Sequence, residues 1–211
     1  PGSLNGGGEF RLLAPEYELA ETDNAGFDKF HKEFMNENYH GQLMLRPLGD
    51  MDLGLMEKWL YMPHITKWYE HPAEWIHEIR KRHDEFNFIT HFIAEVDGVA
   101  IGFGQYYDCY FGQQHEDWYA VDTPGIMFSI DFLIGAPEYL KKGYGQEMVR
   151  LLGEKLSALG AKRVVVQPDR KNTSSCQVLK ANGYADNGEY YARQLSDQRC
   201  QENCPNRPEL G

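Results

Sequence analysis

One acidic residue and one glycine-containing turn are the parts of this sequence best suited to chemistry. Asp131 stands inside an apolar run at 126–135, and a Lys-Lys-Gly-x-Gly turn follows at 141–145. Beyond the turn, apolar residues recur at helical spacing: Met148, Val149, Leu151, Leu152 and Leu156. A strand that leads through such a turn into a helix presents backbone N–H groups and the positive end of a helix dipole, which together bind phosphate groups. The pattern therefore predicts a diphosphate site directly after an acidic strand.

The glycine pair by itself is a weak signal. Gly143 and Gly145 let the backbone approach a ligand closely, and Lys141 and Lys142 add positive charge at the same end. However, the turn matches neither Gly-x-x-x-x-Gly-Lys-Ser/Thr nor Gly-x-Gly-x-x-Gly. The alternative is a helix start that happens to contain two glycines.

Asp131 is the residue best suited to bind an amine and to accept its proton during a reaction. An amine has a reference pKa of about 10.4 and a carboxyl group one of about 4, so simple deprotonation would cost about 8 kcal/mol. A carboxylate can instead attract an ammonium group, orient it, and accept a proton as the new bond to nitrogen forms. The alternative is a structural aspartate, hydrogen-bonded at a strand bulge.

Length and composition restrict the class of protein. The 211 residues are 42% hydrophobic and 13% aromatic, which is typical of one globular domain with an extension. The net charge of -11 argues against nucleic acid as the main partner and suits a cationic substrate. No apolar run approaches the roughly 18 to 20 residues of a membrane span, and the N-terminus is not a signal peptide. We therefore expect no membrane partner and a cytoplasmic location.

The cysteines indicate a reduced protein without a metal site. Cys109, Cys176, Cys200 and Cys204 are too few for a disulfide framework in a chain of this length. The last two have no second Cys or His pair nearby, so zinc is not expected. No histidine partner is indicated for Cys176, which argues against a cysteine acyl-enzyme.

The remaining patterns predict an α/β fold. In chain order they indicate a strand at 43–48, helices at 53–60 and after Pro72, a hairpin over 88–107, the strand and helix described above, a strand at 163–167, a helix at 174–181, and strands near 184 and at 190–195. Asp97-Gly98 supplies the hairpin turn. This order predicts a central mixed sheet with helices on both faces.

The chain divides into three predicted parts. Residues 1–41 form an extension, which starts as a Gly-rich cloning remnant or loose tail and continues as an amphipathic helix with Phe27, Phe30 and Phe34. Residues 42–196 form the folded domain. Residues 197–211 form a C-terminal tail.

Three motifs together resemble the GNAT acyltransferase superfamily over about residues 43–195. They are LKKGYG at 140–145 after the central strand, QPDRKN at 167–172, and KANGY at 180–184. The segments PHITKWY at 63–69 and IGFGQYY at 101–107 are closer to the aminoglycoside 6′-N-acetyltransferases. The position of Asp131, twelve residues before Gly143, is also similar to that branch. A branch that acylates hydroxylysine-type siderophore precursors shares part of the pattern.

The resemblance implies the GNAT acyl-CoA N-acyltransferase fold and acetyl-CoA as the acetyl donor. Asp131 would be the catalytic residue. The implied cofactor-binding residues are Phe132, Leu133 and Ile134 along the pantetheine arm, Lys141, Lys142, Gly143, Tyr144, Gly145 and Gln146 around the pyrophosphate, and Asn172 on the far side of the arm.

The resemblance also suggests substrate-binding residues: Trp68, Tyr69, Gln105, Tyr107, Asp117, Trp118 and Gln167. Aromatic rings can stack on a sugar or wall a cationic pocket, and acidic residues of the loop at 112–124 can bind amines. The alternatives are ordinary core aromatics and a solvated acidic loop. His64 is expected to close a turn rather than to act in catalysis.

Three positions depart from the family pattern. Leu140 stands at the head of the phosphate turn, where Arg or Gln is usual, although the aminoglycoside branch shares this feature. Gln167 replaces the acidic residue that the aminoglycoside enzymes carry before the proline. Leu179 falls where a helix tyrosine often protonates the departing thiolate. Water, or no acid at all, would then serve, because a thiol with a reference pKa of about 8.5 yields a tolerable leaving group.

The sequence thus predicts an acetyl-CoA-dependent N-acetyltransferase that acts on a small cationic amine by direct attack in a ternary complex. Aminoglycoside 6′-N-acetylation, of the antibiotic-resistance type, is the leading hypothesis. The alternatives are acylation of a siderophore precursor or another small amine, and a GNAT domain that binds coenzyme A without turnover. We expect a monomer or a homodimer.

Overall fold

The computed structural model describes residues 41–115 and 120–195. These ranges contain seven strands: β1 (Leu43–Pro47), β2 (Ile89–Val96), β3 (Val99–Asp108), β4 (Met127–Ile134), β5 (Arg163–Val166), β6 (Ala185–Asp186) and β7 (Tyr191–Gln194). The same ranges contain six α-helices: α1 (Leu53–Leu60), α2 (Pro63–Thr66), α3 (Pro72–Arg80), α4 (Cys109–Gly112), α5 (Tyr144–Ala158) and α6 (Thr173–Ala181). The predicted extension before Gly41, the tail after Leu195, and Asp117 with Trp118 lie outside the described residues.

The strands form one mixed sheet in the order β1-β2-β3-β4-β5-β7-β6. β4 and β5 run parallel, whereas the other neighbouring pairs are antiparallel. The β2–β3 hairpin turns at Asp97 and Gly98, whose φ angles of 52° and 78° are both positive, as a type I′ turn requires. The predicted mixed sheet with helices on both faces is confirmed.

The two faces of the sheet bury separate apolar clusters. On one face, side chains from α1, α2 and α3 pack on Ile93, Phe103 and Leu133. On the other face, α5 and α6 pack on strand residues such as Ala94 and Ile130. In α5 the predicted apolar positions are largely buried, because helical spacing places them on one side. Both faces are therefore covered by helices. The sheet opens within its plane, where β4 and β5 separate.

β4 and β5 pair only over their first three residues. The register runs from Met127 opposite Arg163 to Ser129 opposite Val165. β5 ends at Val166, and Gln167-Pro168 follows. The two strands therefore separate before the proline is reached, and β4 continues without β5 to Ile134. Because proline has no backbone N–H, Pro168 cannot resume the ladder farther along. A cleft opens between the strands at Asp131.

Candidate active site

Asp131 lies at the point where the two parallel strands separate. It follows Ser129, the last β4 residue paired with β5, by two positions. On its other side Asp131 pairs with Gln105 of β3, and Gln105 Nε2 donates a hydrogen bond to Asp131 Oδ2 at 3.0 Å. The acidic residue that the sequence predicts in the central strand is therefore a half-buried carboxylate at this opening.

One side of the opening is an acidic cavity of about 220 Å³. It is lined by Trp68, Tyr69, Trp75, Tyr107, Ser129, Ile130, Asp131, Phe132, Val166, Gln167, Pro168, Asp169, Asn172 and Ser175. Asp131 and Asp169 are its charged lining residues, and no lysine or arginine lies among the described residues that form it. Aromatic walls with two carboxylates suit a cationic molecule that also carries an apolar or sugar-like face.

The other side is a basic groove of about 720 Å³ between β4, α5 and α6. It is lined by strand residues 132–134, turn residues 139–141 and 143, the first turn of α5, one side of α6 along its length, and residues of the α2 region. Its lysines are Lys67, Lys141 and Lys171, and the described lining includes no acidic side chain. The acidic cavity and the basic groove therefore differ in the sign of their charge.

The acidic cavity and the basic groove share one wall. Trp68, Tyr69, Phe132, Asn172 and Ser175 line both. A molecule in the groove and a molecule in the cavity would consequently meet at this wall, beside Asp131. Such adjacency is what direct transfer between two bound molecules requires.

The N-terminus of α5 forms one end of the basic groove. Lys141 and Gly143 have φ angles of 59° and 85°, which turn the chain so that the helix begins at Tyr144. The first N–H groups of a helix have no partner within it, and none of the described side chains caps this helix. A 15-residue helix also carries a positive dipole end, so the position suits an anion.

Gly145 has no role that the protein's own packing explains. A Cβ atom added there would meet Val178 Cγ2 at 3.7 Å, which is ordinary van der Waals contact. Its φ is not in the left-handed region, unlike that of Gly143. A glycine in a helix costs about 0.5–1 kcal/mol relative to alanine. Because Gly145 lines the basic groove, close approach of a ligand is the reason that remains.

Two predicted cofactor residues turn their side chains away from the groove. Tyr144 is 6% exposed and packs against Tyr139, with ring centroids 5.7 Å apart. Lys142 places Nζ 5.7 Å from the centroid of the Tyr139 ring. Neither residue lines the groove, so a ligand there would meet the backbone of these two residues, which is the role that the resemblance implies for them.

The C-terminal half of β4 is held by two side chains from the α2 region. Tyr69 donates its hydroxyl to the Phe132 carbonyl at 2.7 Å, and His64 Nε2 lies 3.1 Å from the Ile134 carbonyl. Burial, and after it the Asp131 carboxylate, raise the pKa of Tyr69 well above its ordinary value. Tyr69 therefore keeps its proton and remains a donor at neutral pH. His64 has the structural role that the sequence favoured.

The backbone of β4 has N–H groups that face the cleft. Phe132 and Ile134 direct their main-chain groups away from β3, because their carbonyls meet side chains of the α2 region and main-chain groups alternate in direction along a strand. The carbonyls of these two residues are bound by Tyr69 and His64. Their N–H groups can bind an extended ligand as an additional strand would.

Of the other predicted site residues, some line the acidic cavity and one does not. Gln105 is 1% exposed and lies behind Asp131, so it contacts the carboxylate rather than the acidic cavity. Tyr107 and Gln167 line the acidic cavity. Asn172 lines the shared wall, but its Oδ1 accepts from Ser175 N at 3.1 Å and caps α6, so a ligand would meet the amide nitrogen.

Leu179 is fully buried in the core beneath α6 and does not reach the groove. The α6 residues that do are Thr173, Ser174, Ser175, Gln177, Val178 and Ala181. Ser175 bears a hydroxyl on the shared wall, which the sequence analysis missed. It also missed Trp75 and Asp169. Asp169 follows the C-terminal end of β5, and the carboxyl ends of neighbouring parallel strands are where ligands bind in such sheets.

Metal and membrane features are absent from the described ranges. No group of three His, Cys, Asp or Glu side chains within residues 41–115 and 120–195 is placed to hold a metal ion. No helix in those ranges is both long and apolar enough to cross a membrane.

The fold and the site together define an acetyltransferase of GNAT type. A family model described as an acetyltransferase (GNAT) domain matches residues 49–191, which is more than half of the chain. The chain belongs to this family, whose acetyl donor is acetyl-CoA. The predicted family, fold and enzyme class are confirmed.

Relatives that act on aminoglycosides are similar over part of the chain. Aminoglycoside N(6′)-acetyltransferase type 1 of Klebsiella pneumoniae and its namesake from Serratia marcescens are each 28% identical over 125 residues. The matched segment covers 56% of this chain and 61% of each relative, less than two thirds of their length.

Solved structures show the same fold. Aminoglycoside acetyltransferase AAC(6′)-Ib in complex with coenzyme A superposes with a TM-score of 0.65 and 22% identity, over 76% of this chain and 99% of that one. Spermidine N-acetyltransferase from Vibrio cholerae, in complex with CoA and spermine, gives 0.60 and 16% identity, over 74% and 97%. At these identities the likeness concerns the fold alone.

Tyr69→Phe tests the clamp on β4, by which we mean the hydrogen bond from the Tyr69 hydroxyl to the Phe132 carbonyl. We expect the variant to lose about 1–3 kcal/mol of unfolding free energy at pH 7, because the Phe132 carbonyl loses its donor. The deficit should shrink above about pH 10, where unfolded tyrosine ionises while folded Tyr69 holds its proton, so that only the wild type loses stability through this group. Urea denaturation at several pH values measures both effects. Tyr61→Phe, at a 57% exposed tyrosine, is the control, and equal curves for the two variants would contradict the clamp.

Proposed function

We propose that this protein acetylates a primary amine of a small polycationic molecule with acetyl-CoA, and that an aminoglycoside 6′-amine is the leading acceptor. The observation that carries the proposal is the pair of adjoining spaces of opposite charge, which share a wall beside Asp131. An anionic donor matches the basic groove, and a cationic acceptor matches the acidic cavity. Electrostatic complementarity of this kind selects ligands and speeds their approach.

Coenzyme A fits the residues of the basic groove. The N-terminus of α5, with Lys141 at its start, would hold the diphosphate, and Gly145 leaves room for it. The N–H groups of Phe132 and Ile134 and the amide nitrogen of Asn172 would hold the extended arm. Bound acetyl-CoA supplies the acetyl thioester.

Asp131 would act on the acceptor amine. Its Oδ2 accepts a hydrogen bond from Gln105, and the carboxylate lines the acidic cavity that the ammonium group would enter. The carboxylate attracts the ammonium group and orients it, and the amine attacks the thioester carbonyl once one proton has passed to water. The carboxylate then receives the second proton, because the nitrogen becomes acidic as the N–C bond forms, and the C–S bond breaks to release the thiolate of coenzyme A. Ser175, on the shared wall, is the hydroxyl that would stabilise the departing thiolate by a hydrogen bond.

The acceptor proposal rests on the second carboxylate. Asp169 lines the same cavity as Asp131, although Gln167 stands where the aminoglycoside enzymes carry an acidic residue. Two carboxylates and the rings of Trp68 and Trp75 suit a molecule with several ammonium groups and a ring face. The relatives named as aminoglycoside acetyltransferases support this acceptor class. A linear polyamine meets the same charge requirement and is the second candidate.

Release of free thiol from acetyl-CoA in the presence of different amines tests the proposal. The panel contains kanamycin and ribostamycin, spermidine, and N6-hydroxylysine. We expect turnover with the aminoglycosides. Turnover with spermidine alone would assign the linear polyamine, and turnover with hydroxylysine alone would assign a siderophore-type acceptor. Calorimetric binding of coenzyme A without any thiol release would identify a non-catalytic domain and overturn the proposal.

Asp131→Asn should lower the turnover number by about a hundredfold, since asparagine neither attracts an ammonium group nor accepts its proton. The dissociation constant for acetyl-CoA should change by less than about threefold, because the carboxylate faces the acceptor. Steady-state rates and calorimetry measure the two quantities. Asp84→Asn, at an exposed residue of the turn that follows α3, is the control. Unchanged turnover in Asp131→Asn would remove this residue from the mechanism.

Gly145→Ala separates ligand binding from folding. The added methyl group has room in the protein, so the free energy of unfolding should stay the same or rise by up to about 1 kcal/mol. Affinity for coenzyme A, measured by calorimetry, should fall about tenfold, because the methyl group occupies the space of the diphosphate. Gly54→Ala is the control, because Gly54 is an exposed position of α1 and no atom lies near the new Cβ. It should stabilise the protein without changing the affinity for coenzyme A. Full affinity in Gly145→Ala would place the diphosphate elsewhere.

A further inference from the structure

A row of polar residues crosses the sheet behind Asp131. The register places His91 of β2 opposite Gln105 of β3, and Gln105 opposite Asp131 of β4. The next row on the same face is apolar and consists of Ile93, Phe103 and Leu133, packed under α1 to α3. A polar row in this place needs a reason, because burying polar groups costs free energy unless they are paired.

The inner end of the row reaches α3. His91 is 5% exposed, and its Nε2 lies 3.6 Å from Glu78 Oε1. Glu78 Oε1, His91 Nε2 and Gln105 Oε1 are all buried, and none has a hydrogen-bond partner among the described residues. Three such atoms in one row, out of six in the described part of the chain, mark it as a unit with a shared requirement.

The orientation of the Gln105 amide follows from its neighbour. A carboxylate only accepts hydrogen bonds, so Gln105 must turn Nε2 toward Asp131, as it does. Its Oε1 then remains as an acceptor at the other arm of the amide. Cross-strand neighbours have Cβ atoms about 4.5–5.5 Å apart, which puts His91 within side-chain reach of this oxygen.

The two neighbours of His91, Glu78 and Gln105, each have an acceptor oxygen without a hydrogen bond from any described residue, so two donors are needed. Glu78 Oε1 is one acceptor and Gln105 Oε1 is the other. A neutral imidazole ring has one N–H group, whereas an imidazolium ring has two. An imidazolium between them would supply both donors.

We propose that Glu78, His91 and Gln105 form a positioning row for Asp131, in which His91 as an imidazolium donates to Glu78 and to Gln105. The charges then alternate along the row: Glu78 is negative, His91 positive, and Asp131 negative, with the amide dipole of Gln105 aligned between the last two. The groups that face the ring are Glu78 from α3, Gln105 and the apolar ring of Phe103 from β3, and, beyond Gln105, Asp131 from β4.

The row would act through Asp131. A chain of hydrogen bonds polarises its members, so Gln105 becomes a stronger donor to Asp131 Oδ2. The carboxylate is thereby kept ionised and fixed in direction at the acidic cavity. The kinetic part of this inference rests on the proposed function, whereas the protonation state of His91 does not.

Nuclear magnetic resonance of the ligand-free protein tests the row without any activity. In ¹⁵N-histidine-labelled protein at pH 7, we expect two ring N–H signals for His91, assigned by their loss in His91→Phe. In Asp131→Asn these signals should shift, because the row ends at that carboxylate. A neutral His91 ring, or His91 signals that ignore Asp131→Asn, would overturn the proposal even if the enzyme acetylates amines.

A double-mutant cycle tests the kinetic consequence. His91→Phe should lower the turnover number about tenfold and leave the KM for acetyl-CoA within twofold. In a Gln105→Leu background, where the row is already cut, the same change should have almost no further effect. Equal tenfold losses in both backgrounds would overturn the coupling. Glu78→Gln, which preserves shape, replaces His91→Phe if that variant fails to fold. His77→Phe, at an exposed histidine next to Glu78 in α3, is the control.

Discussion

The separation of β4 from β5 is the constraint on which the rest of the structure depends. Parallel strands bury their main-chain groups in a common ladder, and this ladder ends after Ser129. Pro168, three residues beyond the last paired residue of β5, has no N–H with which to resume it. From that point β4 has main-chain groups without a strand partner, and a buried sheet cannot leave such groups unsatisfied. Tyr69 and His64 satisfy the carbonyls. The N–H groups, the carboxylate of Asp131 and both cavities follow from the same gap.

Charge is sorted across this gap. Lysines line one side and aspartates line the other, so each bound molecule would be attracted to its own side and repelled from the wrong one. The shared wall is formed mainly by aromatic and uncharged polar residues, including Trp68, Tyr69 and Ser175. This arrangement lets two ligands of opposite charge meet without a charged side chain between them other than Asp131, which lies at the meeting point.

The sequence predicted the fold well because local patterns carried it. The Asp97-Gly98 turn, the period of α5, and the strand that contains Asp131 are all readable from neighbouring residues. The site was predicted less completely, because its geometry depends on contacts distant in sequence. Gln105 looked like a substrate ligand until the register placed it behind Asp131. Tyr144 and Lys142 belong to the motif, but their side chains lie against Tyr139 and do not line the groove. Asp169 carries no periodic signal at all.

The donor half and the acceptor half of the site differ in how they are built. The groove relies on backbone N–H groups, a helix end and Gly145, which many sequences can supply in the same geometry. The cavity relies on the side chains of Gln167 and Asp169 in the segment after β5, where a shift of two residues moves a carboxylate without disturbing the ladder. A fold kept at low sequence identity can therefore retain its donor while its acceptor changes. Differences in this short segment, more than differences in the helices, should decide which amine the protein accepts.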